Sequence, residues 1–99
     1  MLNINQEKNG SILTIGLEGR LDTTTSPQLE EFVNSNIAGV TELYFDMAKL
    51  EYISSAGLRV LLSAQKKMNT QGNMVVKNVS EEVVEVFEVT GFSDILTIE

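Results

Sequence analysis

The chain has no cysteine, no histidine and no tryptophan, and one proline, Pro27, among its 99 residues. Without cysteine there is no disulfide, thiol nucleophile or thiolate metal ligand. Without histidine the commonest general base near neutral pH is gone, and almost all zinc and transition-metal sites go with it. No apolar run approaches the roughly 18 residues that a membrane-crossing helix requires. The opening residues Met1-Leu2-Asn3-Ile4-Asn5-Gln6 lack the basic segment that begins a secretory signal. These absences lead to the expectation of a cytoplasmic protein with no direct membrane insertion, no metal and no cofactor. Positive charge is scarce too: 7 Lys and Arg stand against 14 Asp and Glu, a net charge of −7. Such a surface repels phosphate backbones and anionic lipid, so nucleic acid is not an expected partner. Its plainest consequence is solubility.

What is present suffices for a core. The hydrophobic fraction is 42%, too high for a disordered chain, and the length fits a single domain over residues 1–99. No repeat, linker or low-complexity tract interrupts it. Asn9-Gly10 is a tight-turn dipeptide between Leu2 and Ile4 on one side and Ile12, Leu13, Ile15 and Leu17 on the other, which predicts a β-hairpin. Gly19-Arg20-Leu21-Asp22 leaves the sheet. Ser26-Pro27 then reads as a helix start, with Ser26 as N-cap and proline at the first helical position. Leu29, Phe32, Val33 and Ile37 form one helical face, closed by Gly39.

Leu43-Tyr44-Phe45-Asp46-Met47 has the near-continuous apolar content of a strand covered on both faces, and Ala48 to Ile53 reads as the loop after it. A helix is predicted from about Ser55 to Met68, burying Leu58, Leu61, Leu62 and Met68, with Thr70-Gln71-Gly72-Asn73 as stop and turn. Met74 to Lys77 is the next strand. For Val83 to Val89 the valines favour strand, but the Ser80 cap, the first-turn acids Glu81 and Glu82, the spacing of Val83, Val86, Phe87 and Thr90, and the Gly91 stop favour helix. Helix is the reading adopted. Ile95 to Ile98 closes the chain as a short strand. The fold class is thus α/β in the order β-β-α-β-α-β-α-β: a mixed, mostly parallel sheet of about five strands, an N-terminal antiparallel hairpin and about three helices.

The most informative stretch is Tyr52-Ile53-Ser54-Ser55-Ala56-Gly57-Leu58. It sets two hydroxyls and a glycine at a helix start beyond a strand's carboxyl end, the edge where such folds carry their sites. Ser55 is expected as the N-cap. A capping serine is ordinarily structural, but free N–H groups and the helix dipole also favour a phosphate there. Gly57 has no side chain to keep a partner's backbone away. Asp22, Thr23 and Thr24 either belong to a partner surface or satisfy nearby backbone N–H groups. Asp46, at the expected strand end, has the position of a phospho-acceptor aspartate but no paired acid beside it for magnesium. Arg59, Lys66 and Lys67 read as a solvated helix face, with Arg59 one turn beyond Ser55 and able to reach a partner. Phe92 is expected to pack on the sheet.

Taken together, Gly19-Arg20-Leu21-Asp22 with Ser26-Pro27, the strand Leu43–Met47, the block Tyr52–Leu58 and Thr90-Gly91-Phe92-Ser93 resemble the STAS domain family over nearly the whole chain. Within it they resemble the stand-alone anti-sigma factor antagonists of bacteria. The resemblance implies a non-enzymatic partner switch. Such a protein binds an anti-sigma factor that is also a serine kinase, freeing the sigma factor. Phosphorylation of a serine at this helix start ends the binding, and a phosphatase resets it; ATP and magnesium belong to the kinase. The matching serine here is Ser55. Ser54 stands where well-known members have aspartate, and Ala56 where they often have a second hydroxyl; Ser54 is the back-up acceptor. The implied partner surface comprises Asp22, Thr23, Thr24, Ser54, Ser55, Ala56, Gly57 and Arg59.

Two other readings stand beside this one. STAS-like domains also serve as constitutive scaffold subunits of lipid-transport or stress-signalling complexes. An enzyme is the third reading, but the chain offers no nucleophile–base pair and no Gly-rich loop with phosphate-cradling spacing.

Overall fold

Asn9 and Gly10 reverse the chain as their sequence predicts, and the computed structural model, which describes residues 1–99, builds outward from that hairpin. β1 (Leu2–Asn9) runs antiparallel to β2 (Ile12–Leu21), with Leu2 opposite Gly19 and Asn9 opposite Ile12. β3 (Glu42–Ile53) lies parallel to β2, and β4 (Asn73–Lys77) parallel to β3, giving one sheet in the order β1-β2-β3-β4. The crossovers carry α1 (Ser26–Asn36) and α2 (Ser55–Gln71), and α3 (Glu81–Thr90) follows β4.

The core sits on one face of this sheet. Leu13, Leu43 and Met74 are neighbours across the strands, and so are Ile15, Phe45 and Val76; all six are buried. They meet Leu29 and Val33 of α1, Leu58, Leu61 and Met68 of α2, and Val83 and Phe87 of α3 in a single cluster. β3 is therefore not covered on both faces as its apolar content suggests. Leu43, Phe45 and Met47 point into the core, while Tyr44 and Asp46 are half-buried on the opposite face.

The stretch expected as a loop, Ala48 to Ile53, is the second half of β3. Register shifts between Gly16 and Glu18, and between Gly19 and Arg20, disturb the alternation there, so the buried residues fall at Met47, Leu50 and Ile53. Such irregularities break the period of two by which a strand is recognised. On α2, Leu62 is only half-buried, and Val60, Ala64 and Gln65 complete the inward stripe instead.

The helix over α3 is present. The Ser80 hydroxyl accepts from the Val83 N–H at 3.3 Å, and Gly91 takes φ +81 as its left-handed stop. The expected last strand shrinks to a bridge between Val76 and Ile98, so the sheet has four strands rather than five. The reason is local: Phe92–Asp94 coils into a 3-10 turn and Ile95 keeps a helical backbone, leaving only the Thr97 C=O and the Glu99 N–H to pair with Val76. Phe92 packs against the core, as expected.

Candidate functional site

The junction between β3 and α2 is fixed by Ser54. Its backbone is extended (φ −101, ψ 175), its N–H donates to the Leu21 C=O at 2.9 Å, and its C=O accepts the Leu58 N–H at 3.0 Å. Its hydroxyl accepts from the Gly57 N–H at 3.5 Å, so Ser54 is the N-cap. Ser55 was the expected cap; it is instead the first helical residue. The bond to Leu21 holds residue 54 extended just past the end of β3, and the helix begins at Ser55, one position earlier than a Ser55 cap would give. The consequence for Ser55 is direct. Its side chain is exposed, and no intramolecular hydrogen bond engages its hydroxyl. The Ser54 hydroxyl is half-buried and already employed.

Gly57 is buried, and this corrects its expected place on the outer surface. The backbone approach it permits is internal. A Cβ at this position would lie 2.7 Å from Leu21 Cγ and 3.0 Å from Ile53 Cγ1. The glycine thus lets the first turn of α2 settle onto the ends of β2 and β3.

The turn between β2 and α1 lies next to this helix start, because Leu21 pairs with Ile53 and bonds to Ser54. Asp22 organises it. Its Oδ1 accepts from the Thr24 hydroxyl at 2.8 Å, the Thr24 N–H at 3.0 Å, the Thr25 N–H at 3.1 Å and the Thr25 hydroxyl at 3.2 Å. The Thr24 hydroxyl leads in holding the Asp22 carboxyl below the usual carboxylate range; desolvation opposes it, and the Thr25 bonds and the Thr24 N–H add to the lowering. The single Thr25 hydroxyl proton is shared between Asp22 Oδ1 and the nearer Arg20 C=O at 2.8 Å, while its oxygen accepts from the Asp22 N–H at 2.9 Å. Thr25, rather than Ser26, precedes α1 as its cap residue, without a side-chain cap bond; Ser26 is buried, with its hydroxyl donating to the Asp22 C=O. Thr23 and Thr24 are exposed.

Between the two helix starts runs a shallow groove of about 200 Å³. Thr23, Ser26, Pro27 and Glu30 form one wall, and Ala56, Arg59 and Val60 the other. The structure therefore brings Thr23, Ala56 and Arg59 together, with Asp22, Thr24 and Ser55 on adjoining positions. Sequence reasoning missed Glu30 as a groove residue. It also missed the stacking of the Arg20 guanidinium over the Tyr52 ring, 4.3 Å from its centroid, where Arg20 Nε also lies 3.9 Å from Asp22 Oδ2. Both residues stand in motifs already noted. Their contact follows from the Arg20–Tyr52 pairing, which only the irregular register creates.

Asp46 lies apart from this edge. It is not at a strand end but mid-strand, opposite Gly16. Its Oδ1 accepts from the Ala48 N–H at 3.0 Å and Asn78 Nδ2 at 3.1 Å. The Asn78 amide first, then the Ala48 N–H and the charge of Lys49, keep its carboxyl low. Lys66 and Lys67 are exposed as expected, and Lys67 contacts the Asn34 side chain of α1. No group of three or more carboxylates converges on a metal-binding geometry, and no helix is long and apolar enough to cross a membrane.

Comparison with known proteins adds four findings. The model of the STAS domain family matches residues 3–99. BtrV of Bordetella bronchiseptica, named as a candidate anti-sigma factor antagonist, is 32% identical over 99 residues, covering 98% of this chain and 85% of its own. The crystal structure of an anti-sigma factor antagonist from Mycobacterium paratuberculosis superposes with a TM-score of 0.90 at 19% identity, over 99% of this chain and 85% of that one. The Bacillus cell fate determinant SpoIIAA, solved in its phosphorylated form, gives a TM-score of 0.77 at 20% identity, over 98% and 91% of the two chains.

Proposed function

This chain belongs to the STAS domain family, and from that membership we propose that it is an anti-sigma factor antagonist switched by phosphorylation of Ser55. In the unmodified state it binds an anti-sigma factor serine kinase through the edge formed by Asp22, Thr23, Thr24, Ala56 and Arg59. Binding frees a sigma factor for transcription. The kinase transfers the γ-phosphoryl group of ATP to Ser55 Oγ; ADP leaves, the hydroxyl proton is released, and the complex dissociates. A phosphatase hydrolyses the ester and restores binding.

One observation carries this reading: the Ser55 hydroxyl is exposed and unbonded at the first position of α2. A kinase can reach it without unfolding the helix. A phosphate there adds about −1.5 to −2 charge at pH 7. The positive end of the α2 dipole tolerates that charge, so the fold survives, while acidic groups on a docked partner are repelled. Ser54 in place of aspartate is compatible with the reading, because serine and aspartate are near-equal caps and the helix start is preserved. The phosphorylated form of SpoIIAA, which has the same fold, lends further support.

The test is to incubate the chain with its cognate kinase and ATP and map the product. The proposal expects phosphate on Ser55, none on Ser55→Ala, and no binding by Ser55→Asp. Phosphate accepted by Ser55→Ala, together with retained binding by Ser55→Asp, would reject it. An unmodified chain in permanent complex with a transporter or signalling assembly would instead assign the scaffold role.

A further inference from the structure

Arg59 is exposed on α2 and forms no ion pair, since the two ion pairs of the chain are Arg20–Asp22 and Lys77–Glu99. It follows Ser55 by four positions in the same helix, so the two side chains share a face with their Cβ atoms about 5–6 Å apart. The first turn of α2 contains no acid that could compete for it. From α1, Glu30 lines the same groove without pairing to Arg59, and the Asp22 carboxylate is engaged by Thr24, Thr25 and Arg20. Arg59 is also the one cation lining the groove.

We propose that a phosphate on Ser55 captures Arg59 as an intramolecular ion pair, withdrawing from the groove the cation that it offers to a partner. The inference rests on the phosphoacceptor reading above and says how the modification acts. Phosphorylation then changes the docking surface twice, adding an anion at Ser55 and removing a cation at Arg59. Glu30 cannot hold Arg59 against this, because a phosphate carries nearly twice the charge of a carboxylate and presents three acceptor oxygens to the planar guanidinium fork. Before modification Arg59 has no anchor and is free to meet an acidic group on the partner.

The test uses the full chain with phosphoserine installed at position 55 during translation, so it depends on no kinase. The second ionisation of the phosphate is followed by 31P NMR in the otherwise native chain and in Arg59→Gln. An unpaired phosphoserine titrates near pH 6. With Arg59 paired, the midpoint should lie lower than in Arg59→Gln by about 0.15–0.4 of a pH unit, and the gap should close in ~1 M salt. Arg59→Lys should give an intermediate midpoint, having charge without the fork. Coincident midpoints in the native and Arg59→Gln chains would overturn the ion pair while leaving Ser55 as acceptor intact. Failure of the kinase to modify Ser55 is read separately, in the mapping experiment.

Discussion

Gly57 and Leu21 approach so closely that a Cβ on the glycine would stand 2.7 Å from the leucine Cγ. Leu21 precedes the Asp22 turn, and Gly57 lies in the first turn of α2. Their contact therefore sets the distance between the two halves of the proposed docking edge. Gly57→Ala should destabilise the chain by about 1–3 kcal/mol through overpacking, lowering Tm by roughly 4–8 °C per kcal/mol for a domain of this size. Leu21→Ala alone should cost about 2–5 kcal/mol by cavity formation. Because the added methyl then has room, the double substitution should cost clearly less than the sum. Strict additivity in urea unfolding would show that the clash is not the cause.

The adjacent serines should separate in a stability measurement. Ser54→Ala removes the acceptor of the Gly57 N–H and should cost about 1 kcal/mol, whereas Ser54→Asp should retain the cap. Ser55→Ala touches no hydrogen bond and should stay within about 0.5 kcal/mol of the native chain. Equal losses at both positions in chemical denaturation would contradict the assignment of Ser54 as cap.

Asp22 gives a pH signature of definite sign. The Thr24 hydroxyl, followed by the Thr25 bonds and the Thr24 N–H, lowers its folded-state pKa, so the unfolded chain binds the proton more readily. Its contribution to stability is complete above the unfolded value, about pH 4, and is lost as pH falls through the lower folded-state value. The stability gap between the native chain and Asp22→Asn should therefore be constant from about pH 6 to 7 and narrow below about pH 4. Urea midpoints across that range measure it, and a gap that widens in acid would reverse the sign. Asp46, held low by the Asn78 amide, should behave likewise in Asp46→Asn.

The parts of this fold that were legible in the sequence are those governed by local chemistry. Asn9-Gly10 announces its hairpin, Ser80 and Gly91 bracket α3 against the strand preference of its valines, and the hydrophobic spacing of α1 survives in Leu29, Val33 and Ile37. The parts that were not legible depend on register. The second half of β3 is hidden because its pairing with β2 slips twice, so Met47, Leu50 and Ile53 no longer alternate. Which serine caps α2 depends on a bond from residue 54 to Leu21, thirty-three positions away. The inward role of Gly57 depends on the same neighbour. At the site, Ser55, Asp22 and Arg59 could be named from the chain alone, but the groove that Arg59 lines, with Glu30 on its other wall and Asp22 and Ser55 on adjoining positions, required the tertiary structure.

The central claim is that a phosphate on Ser55 turns binding off. The most direct measurement is calorimetric titration of the cognate anti-sigma factor kinase with the unmodified chain and with the chain carrying phosphoserine at position 55, with circular dichroism to verify that both are folded. The account predicts near-identical spectra and an affinity at least about tenfold lower for the phosphorylated chain, a change of about 1.4 kcal/mol or more. Equal affinities from two folded proteins would contradict it.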